Sequence, residues 1–214
     1  MNLIFDLDGT LLYTLEDLMD SANYALKKFG FSTKSLSEVQ KAIGDGLKML
    51  IFRLLPKNIE ASVVCDVLAE MKGYYAVHCH DKTVPYDGII EMLYMLKNAG
   101  HRVCIVSNKA DPMVQVLKTV YFDRLVDLAI GESDSNQRKP APDMVLFAME
   151  RFGRDAIYIG DSEVDVQTAK NAEIPCYSVS WGYRSVELLT EQGAKYIFDS
   201  PIALAEAILK EVNR

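Results

Sequence analysis

The sequence lacks long runs of basic residues and of apolar residues. Its net charge is −7, from 23 Lys and Arg against 30 Asp and Glu. This balance argues against nucleic acid or an anionic membrane as a partner. No apolar stretch approaches the ~20 residues of a membrane-spanning helix. An apolar run at residues 3–5 leaves no room for a signal peptide ahead of it, so we expect a cytoplasmic protein.

Cysteine is also sparse. The four cysteines lie far apart and include no Cys-x-x-Cys pair; they are Cys65, Cys79, Cys104 and Cys176. This spacing argues against a zinc site and against a disulfide framework, and it is typical of a reducing cytosol. With 214 residues and 50% hydrophobic residues, the chain can form one large domain, or a core with a modest insert.

The spacing of apolar residues divides the chain into an interrupted α/β pattern. A short strand pattern at residues 3–5 gives way to four helical patterns, and strands and helices alternate after about residue 85. Capping boxes are predicted at Thr14–Asp17 and Ser35–Glu38. We therefore predict a Rossmann-like, doubly wound parallel sheet in a core of residues 1–13 and 83–214. An all-helical domain of residues 14–82 is inserted after the first strand.

Polar residues lie at the ends of three predicted strands, near residues 6, 106 and 160. In open α/β sheets, ligands bind beyond the carboxyl ends of the strands. Asp6 and Asp8 lie two residues apart at the first of these ends, where side chains of that spacing begin on one face. Two adjacent carboxylates repel each other unless a cation lies between them, so this strand end is a candidate for chemistry.

Four segments together resemble the motifs of the haloacid dehalogenase superfamily, in its phosphatase and phosphomutase branch. They are residues 6–10 (Asp-Leu-Asp-Gly-Thr), residues 107–109 (Ser-Asn-Lys), Lys139, and residues 160–165 (Gly-Asp-Ser-Glu-Val-Asp). Taken singly, each has an ordinary alternative, such as a turn, a helix cap or a solvated lysine. Their shared order and their placement at strand ends favour the catalytic interpretation.

The resemblance implies a role for each acid. Asp6 is the expected nucleophile, which forms an aspartyl-phosphate. Asp8 is expected to protonate the leaving group and then to deprotonate water. Mg²⁺ is the expected cofactor, held by the Asp6 carboxylate, the Asp8 main-chain carbonyl and the Asp161 carboxylate. Asp165 is expected to support these ligands from one helical turn further on.

The resemblance also implies which residues bind the substrate. Ser107, the main chain of Asn108, and Thr10 are expected to contact the phosphate. Lys139 is expected to neutralise the nucleophile and the phosphate as a point charge. Lys48 lies off the apolar stripe of its predicted helix, where it is equally compatible with a solvated lysine and with a cation for the far end of a bound anion.

The helical insert resembles the four-helix cap of the same superfamily, and residues 14–18 and 43–47 resemble the phosphoglycolate phosphatase group. We therefore expect a Mg²⁺-dependent phosphatase for a small phosphorylated metabolite, with phosphoglycolate as the leading substrate. Such a cap would exclude bulk water.

Three alternatives stay open. A phosphomutase similar to β-phosphoglucomutase would use the same motifs, as would an inorganic or nucleotide pyrophosphatase. A non-catalytic phospho-acceptor switch also places acids, a Ser or Thr and a Lys at strand ends, although the insert and residues 8–10 weigh against it. The sequence leaves the oligomeric state open.

Overall fold

A six-stranded parallel sheet is the central element of the computed structural model, which describes residues 1–211. The strands are β1 (Asn2–Phe5), β2 (Leu12–Tyr13), β3 (Val84–Pro85), β4 (Arg102–Ala110), β5 (Leu128–Glu132), β6 (Ala156–Gly160), β7 (Cys176–Val179) and β8 (Tyr196–Phe198). The helices are α1 (Leu15–Lys28), α2 (Leu36–Ala42), α3 (Gly46–Leu54), α4 (Ala61–His78), α5 (Ile89–Asn98), α6 (Asp111–Phe122), α7 (Asp143–Phe152), α8 (Glu163–Asn171), α9 (Val186–Glu191) and α10 (Pro201–Glu211).

The strand order is β5-β4-β1-β6-β7-β8, and β2 pairs separately with β3. Phe5 at the end of β1 lies in register with Ile105 of β4 and with Ile159 of β6. From β1 the chain adds β4 and β5 on one side, and it then adds β6, β7 and β8 on the other side. This reversal is the topological switch point at which such sheets bind ligands. The predicted α/β fold class is confirmed.

The central strands are stable in this position because they are apolar on both faces. All residues of β1 are buried, as are all residues of β6. A parallel sheet covered on both faces requires such continuous burial. One core cluster joins Ile4 of β1 and Tyr158 of β6 to Met144 and Val145 of α7. This packing therefore fixes the positions of the residues that directly follow β1 and β6.

The chain divides into two compact units. One comprises Met1–Leu12 together with the chain from Pro85 onward, and it contains the six-stranded sheet. The other, Tyr13–Val84, contains α1 to α4. Among residues 1–211, no helix combines the length and the apolar character needed to cross a membrane.

The helical unit shows one predicted cap and one that is wrong. Ser35 and Glu38 form the predicted capping box at the start of α2. Thr14 precedes α1 but makes no side-chain capping bond. Asp17 instead accepts hydrogen bonds from the backbone N–H groups of Lys82 (3.0 Å) and Thr83 (2.8 Å). The Asp17 carboxylate binds the backbone of residues 82 and 83, and the predicted capping box with Thr14 does not form.

The buried Asp17 carboxylate provides the first prediction. It is 2% exposed and also accepts the Thr83 hydroxyl at 2.8 Å. Asp17→Asn places an amide group against these donors, so we expect the free energy of unfolding to fall by about 2–3 kcal/mol. Asp20→Asn is the control, because the Asp20 side chain is 40% exposed and its ion pair with Lys82 (2.6 Å) contributes at most about 1 kcal/mol. Equal effects in chemical denaturation would contradict the assignment.

Candidate active site

Asp6 lies immediately beyond β1 and continues its pairing with β6. Its backbone N–H donates to the Ile159 carbonyl at 2.8 Å, which fixes the main chain at this point. The side chain is buried, and Asp6 Oδ1 accepts a hydrogen bond from Lys139 Nζ at 2.7 Å. Burial raises the pKa of Asp6 well above its ordinary value, and Lys139 opposes that shift while Asp165 and Asp161 add to it. The nucleophile candidate therefore depends on nearby positive charge to remain ionised.

Lys139 supplies that charge from the loop between β5 and α7. Its Nζ donates to Asp6, to Asp165 Oδ1 (2.8 Å) and to the Tyr158 hydroxyl (2.9 Å). The side chain is 4% exposed. Burial alone would lower the pKa of Lys139, but Asp165 and Asp6 raise it above its ordinary value. Lys139 is therefore a permanent cation at the centre of the cluster.

Asp165 is held in place by the first turn of α8. Its Oδ2 accepts hydrogen bonds from the Ser162 backbone N–H (3.1 Å) and hydroxyl (2.6 Å), which completes a capping box. Gly160 is required here, because a Cβ at that position would lie 2.4 Å from Asp165 Cβ. The sequence from Gly160 to Asp165 therefore ends a strand, starts a helix and turns Asp165 toward Lys139.

Asp161 lies between the first loop and the loop after β7. Its Oδ1 accepts the Thr10 hydroxyl at 3.2 Å, and its Oδ2 accepts the Tyr183 backbone N–H at 2.7 Å. Gly182 packs so closely that a Cβ there would lie 2.3 Å from Asp161 Cβ. Burial, and next the Asp165 charge, raise the pKa of Asp161 to about 7.

Asp8 forms a separate ion pair with Lys109. Asp8 Oδ1 accepts a hydrogen bond from Lys109 Nζ at 2.6 Å. Asp6 and Asp8, which the sequence predicts to repel each other, are thus each paired with a lysine. The two acids therefore do not rely on a shared cation alone.

Ser107 and Asn108 lie in the last part of β4, next to Lys109 in the chain. Ser107 is 1% exposed, and its Oγ accepts the Lys109 backbone N–H at 3.1 Å. The Asn108 side chain accepts the Lys139 backbone N–H at 2.7 Å and donates to the Lys139 carbonyl at 3.1 Å. The Asn108 amide therefore fixes the loop that carries Lys139. Lys48 is an exposed residue of α3, in the helical unit.

The residues at this edge fit a hard divalent cation. Ligand atoms of Asp6, Asp161 and Asp165 all lie within 4.8 Å of one another, and all three side chains are buried. Carboxylate oxygens are the ligands that Mg²⁺ prefers. Asp165 already accepts four hydrogen bonds, which suits a supporting role, whereas Asp6 and Asp161 offer the better ligands.

Sequence reasoning assigned no role to two residues of the cluster. Tyr158 lies in the middle of β6 and resembles any core aromatic, yet its hydroxyl donates to Asp165 at 2.9 Å. Lys109 is the third residue of the segment 107–109, but the resemblance assigns it no role. A search for charged residues at strand ends would have found Lys109; nothing in the sequence distinguishes Tyr158.

This site and fold are those of a known class. The family model of haloacid dehalogenase-like hydrolases matches residues 3–179. The chain belongs to this family, and the prediction that it is a hydrolase is confirmed.

Within the family, the chain is similar to phosphoglycolate phosphatases. It is 31% identical over 233 residues to the phosphoglycolate phosphatase of Pseudomonas syringae pv. tomato, covering 99% of this chain and 84% of that protein. It is also 31% identical to that of Colwellia psychrerythraea, with 92% of each covered. The crystal structure of a candidate phosphoglycolate phosphatase from Lactobacillus delbrueckii subsp. bulgaricus has a TM-score of 0.92, 35% identity and 97% coverage of each chain.

The paired hydrogen bonds between Asn108 and Lys139 provide the second prediction. Asn108→Ala leaves the buried Lys139 backbone N–H without this acceptor, so we expect the free energy of unfolding to fall by about 1–3 kcal/mol. Turnover should fall by more than the increase in the unfolded fraction accounts for, because Lys139 loses its fixed position. Asn98→Ala, at an exposed residue at the end of α5, is the control and should change neither measurement. Unchanged stability in chemical denaturation would contradict this role for Asn108.

Proposed function

We propose that the protein is a Mg²⁺-dependent phosphatase of a small phosphorylated metabolite, acting through an aspartyl-phosphate, with phosphoglycolate as the leading substrate. The observation that carries this proposal is the buried pair of Asp6 and Lys139 (2.7 Å) beside Asp161 and Asp165. Similarity to phosphoglycolate phosphatases over nearly the whole chain supports the substrate.

Asp6 is the proposed nucleophile. One of its carboxylate oxygens forms a bond to phosphorus while the bond between phosphorus and the leaving oxygen breaks. For this step Asp8 must be protonated, and it gives that proton to the leaving oxygen. Water then attacks the aspartyl-phosphate, Asp8 takes a proton from that water, and the Asp6 carboxylate is released together with phosphate.

Lys139, Ser107 and the main chain of Asn108 are proposed to bind the phosphate. Phosphoryl transfer depends mostly on positioning and on stabilising charge on the equatorial oxygens. Lys139 already contacts Asp6, so it can neutralise the nucleophile and the incoming phosphate together. The predicted contact between Thr10 and the substrate stays a prediction, since its hydroxyl donates to Asp161.

Asp6 and Asp161 are proposed to hold Mg²⁺ through their carboxylates, with the Asp8 main-chain carbonyl as a third ligand and Asp165 as support. A bound Mg²⁺ would supply a divalent charge that lessens the repulsion between these carboxylates and the phosphate dianion. The raised pKa values of Asp6 and Asp161 favour this proposal, because a buried cluster of acids is costly without added positive charge.

The remaining assignments concern the helical unit, the location of the protein and its partners. The unit Tyr13–Val84 would act as a cap, as the resemblance implies. Lys48 stays a predicted substrate contact. The four free cysteines support a cytoplasmic location. We expect no nucleic acid or membrane partner.

The nucleophile gives the third prediction. Asp6→Asn preserves the size of the side chain but removes the nucleophilic oxygen, so turnover of phosphoglycolate should fall by several orders of magnitude. Release of inorganic phosphate measures turnover, and circular dichroism checks the fold. Asp123→Asn, at an exposed acid, is the matched control and should keep full activity. Near wild-type turnover by Asp6→Asn would refute the assignment. Transfer of phosphate to a second metabolite, without net release, would favour the mutase alternative.

The metal gives the fourth prediction. EDTA should abolish phosphate release, and added Mg²⁺ should restore it. Asp161→Ala should steeply raise the Mg²⁺ concentration needed for half-maximal activity, because a carboxylate ligand is lost. Asp155→Ala is the control, since its side chain is 82% exposed. Full activity in chelator would exclude the metal dependence, and an unchanged Mg²⁺ requirement would exclude Asp161 as a ligand.

A further inference from the structure

Lys109 places a buried ammonium group beside the proposed acid, Asp8. Its Nζ lies 2.6 Å from Asp8 Oδ1, and its side chain is 4% exposed. Asp8 is the more exposed member of the pair, at 22%. Burying a lysine is costly unless its charge is compensated. The chain therefore retains a desolvated cation at the accessible side of the acid cluster.

The end of β4 fixes this position. The pairing of β4 with β5 shifts register between Val106 and Ala110, which marks an irregularity of the bulge type. Such bulges turn a side chain to a new direction at the end of a strand. The Lys109 backbone N–H also donates to Ser107 Oγ, so the two residues are held as one local structure. Lys109 is thus built into the rigid sheet.

The neighbouring cations already have other partners. Lys139 is shared by Asp6 and Asp165. Arg184, whose charge acts on Asp161, pairs with Glu163 at 2.9 Å. Lys109 is the cation in contact with Asp8, and this contact places it next to the part of a substrate that approaches Asp8.

We propose that Lys109 is a specificity-determining residue that binds an anionic group, of the carboxylate class, carried next to the leaving oxygen. The inference rests on the proposed function, because it takes Asp8 as the residue that contacts the leaving oxygen. In phosphoglycolate a single methylene group separates that oxygen from a carboxylate. A cation in contact with Asp8 is adjacent to this substituent, and a charge-assisted hydrogen bond to it is stronger than a neutral one.

The fifth prediction concerns Lys109, and a comparison of two substrates tests it. Phosphoglycolate and ethyl phosphate share the phosphate and differ in the carboxylate. Lys109→Met should lower kcat/KM for phosphoglycolate at least about tenfold more than for ethyl phosphate. Lys109→Arg, which keeps the charge, should retain most of the wild-type ratio. Lys118→Met, at a lysine on α6, is the control and should leave the ratio unchanged.

The possible outcomes separate this inference from the proposed function. Equal losses with both esters would mean that Lys109 serves only Asp8 or the phosphate, and would overturn the inference, as would an unchanged ratio. A wild-type preference for ethyl phosphate would overturn the inference while leaving phosphatase activity intact. Turnover of neither ester would overturn the proposed substrate class as well. Lys109→Gln, which keeps a hydrogen-bond donor for Asp8, provides the same comparison if the methionine variant does not fold.

Discussion

The Lys139 ammonium group is the interaction on which the candidate site depends. Ligand atoms of three buried carboxylates lie within 4.8 Å of one another. Without a nearby positive charge, these carboxylates would repel one another strongly. Lys139 contacts two of them, Asp6 and Asp165, while Asn108 fixes its main chain. Strand order places Asp6 and Asp161 at neighbouring strand ends. The sheet therefore assembles the acids, and one lysine from a loop makes their assembly tolerable.

That compensation is incomplete. Burial still raises the pKa of Asp6, and it raises that of Asp161 to about 7. Acids with strongly perturbed pKa values often cluster at functional sites. The local cost is paid by packing elsewhere, through the buried strands β1 and β6. The packing of the sheet thus holds the buried carboxylates together although their mutual repulsion and their burial disfavour this arrangement.

Much of the fold could be predicted from the sequence, because continuous apolar strands and alternating helices are local signals. The acids at strand ends were equally visible. Tyr158 was not, since a tyrosine inside a strand looks the same whether its hydroxyl contacts solvent, backbone or a buried lysine. The capping box predicted at Thr14 was wrong for the same reason, because the partner of the side chain lies far along the chain. Asp17 binds residues 65 and 66 positions further along the chain, and no local pattern encodes such a partner.

The position of β1 also has a consequence for how the chain folds. Its residues pair with residues 102–105 and 156–159, so β1 leaves the ribosome well before its neighbours and has both of them only once residue 159 has been synthesised. The helices α1 to α4 have their mutual contacts within a much shorter stretch. Structures rich in local contacts form faster than those with distant ones. In the nascent chain the helical unit can therefore mature first, while the strand that precedes Asp6 waits for its partners.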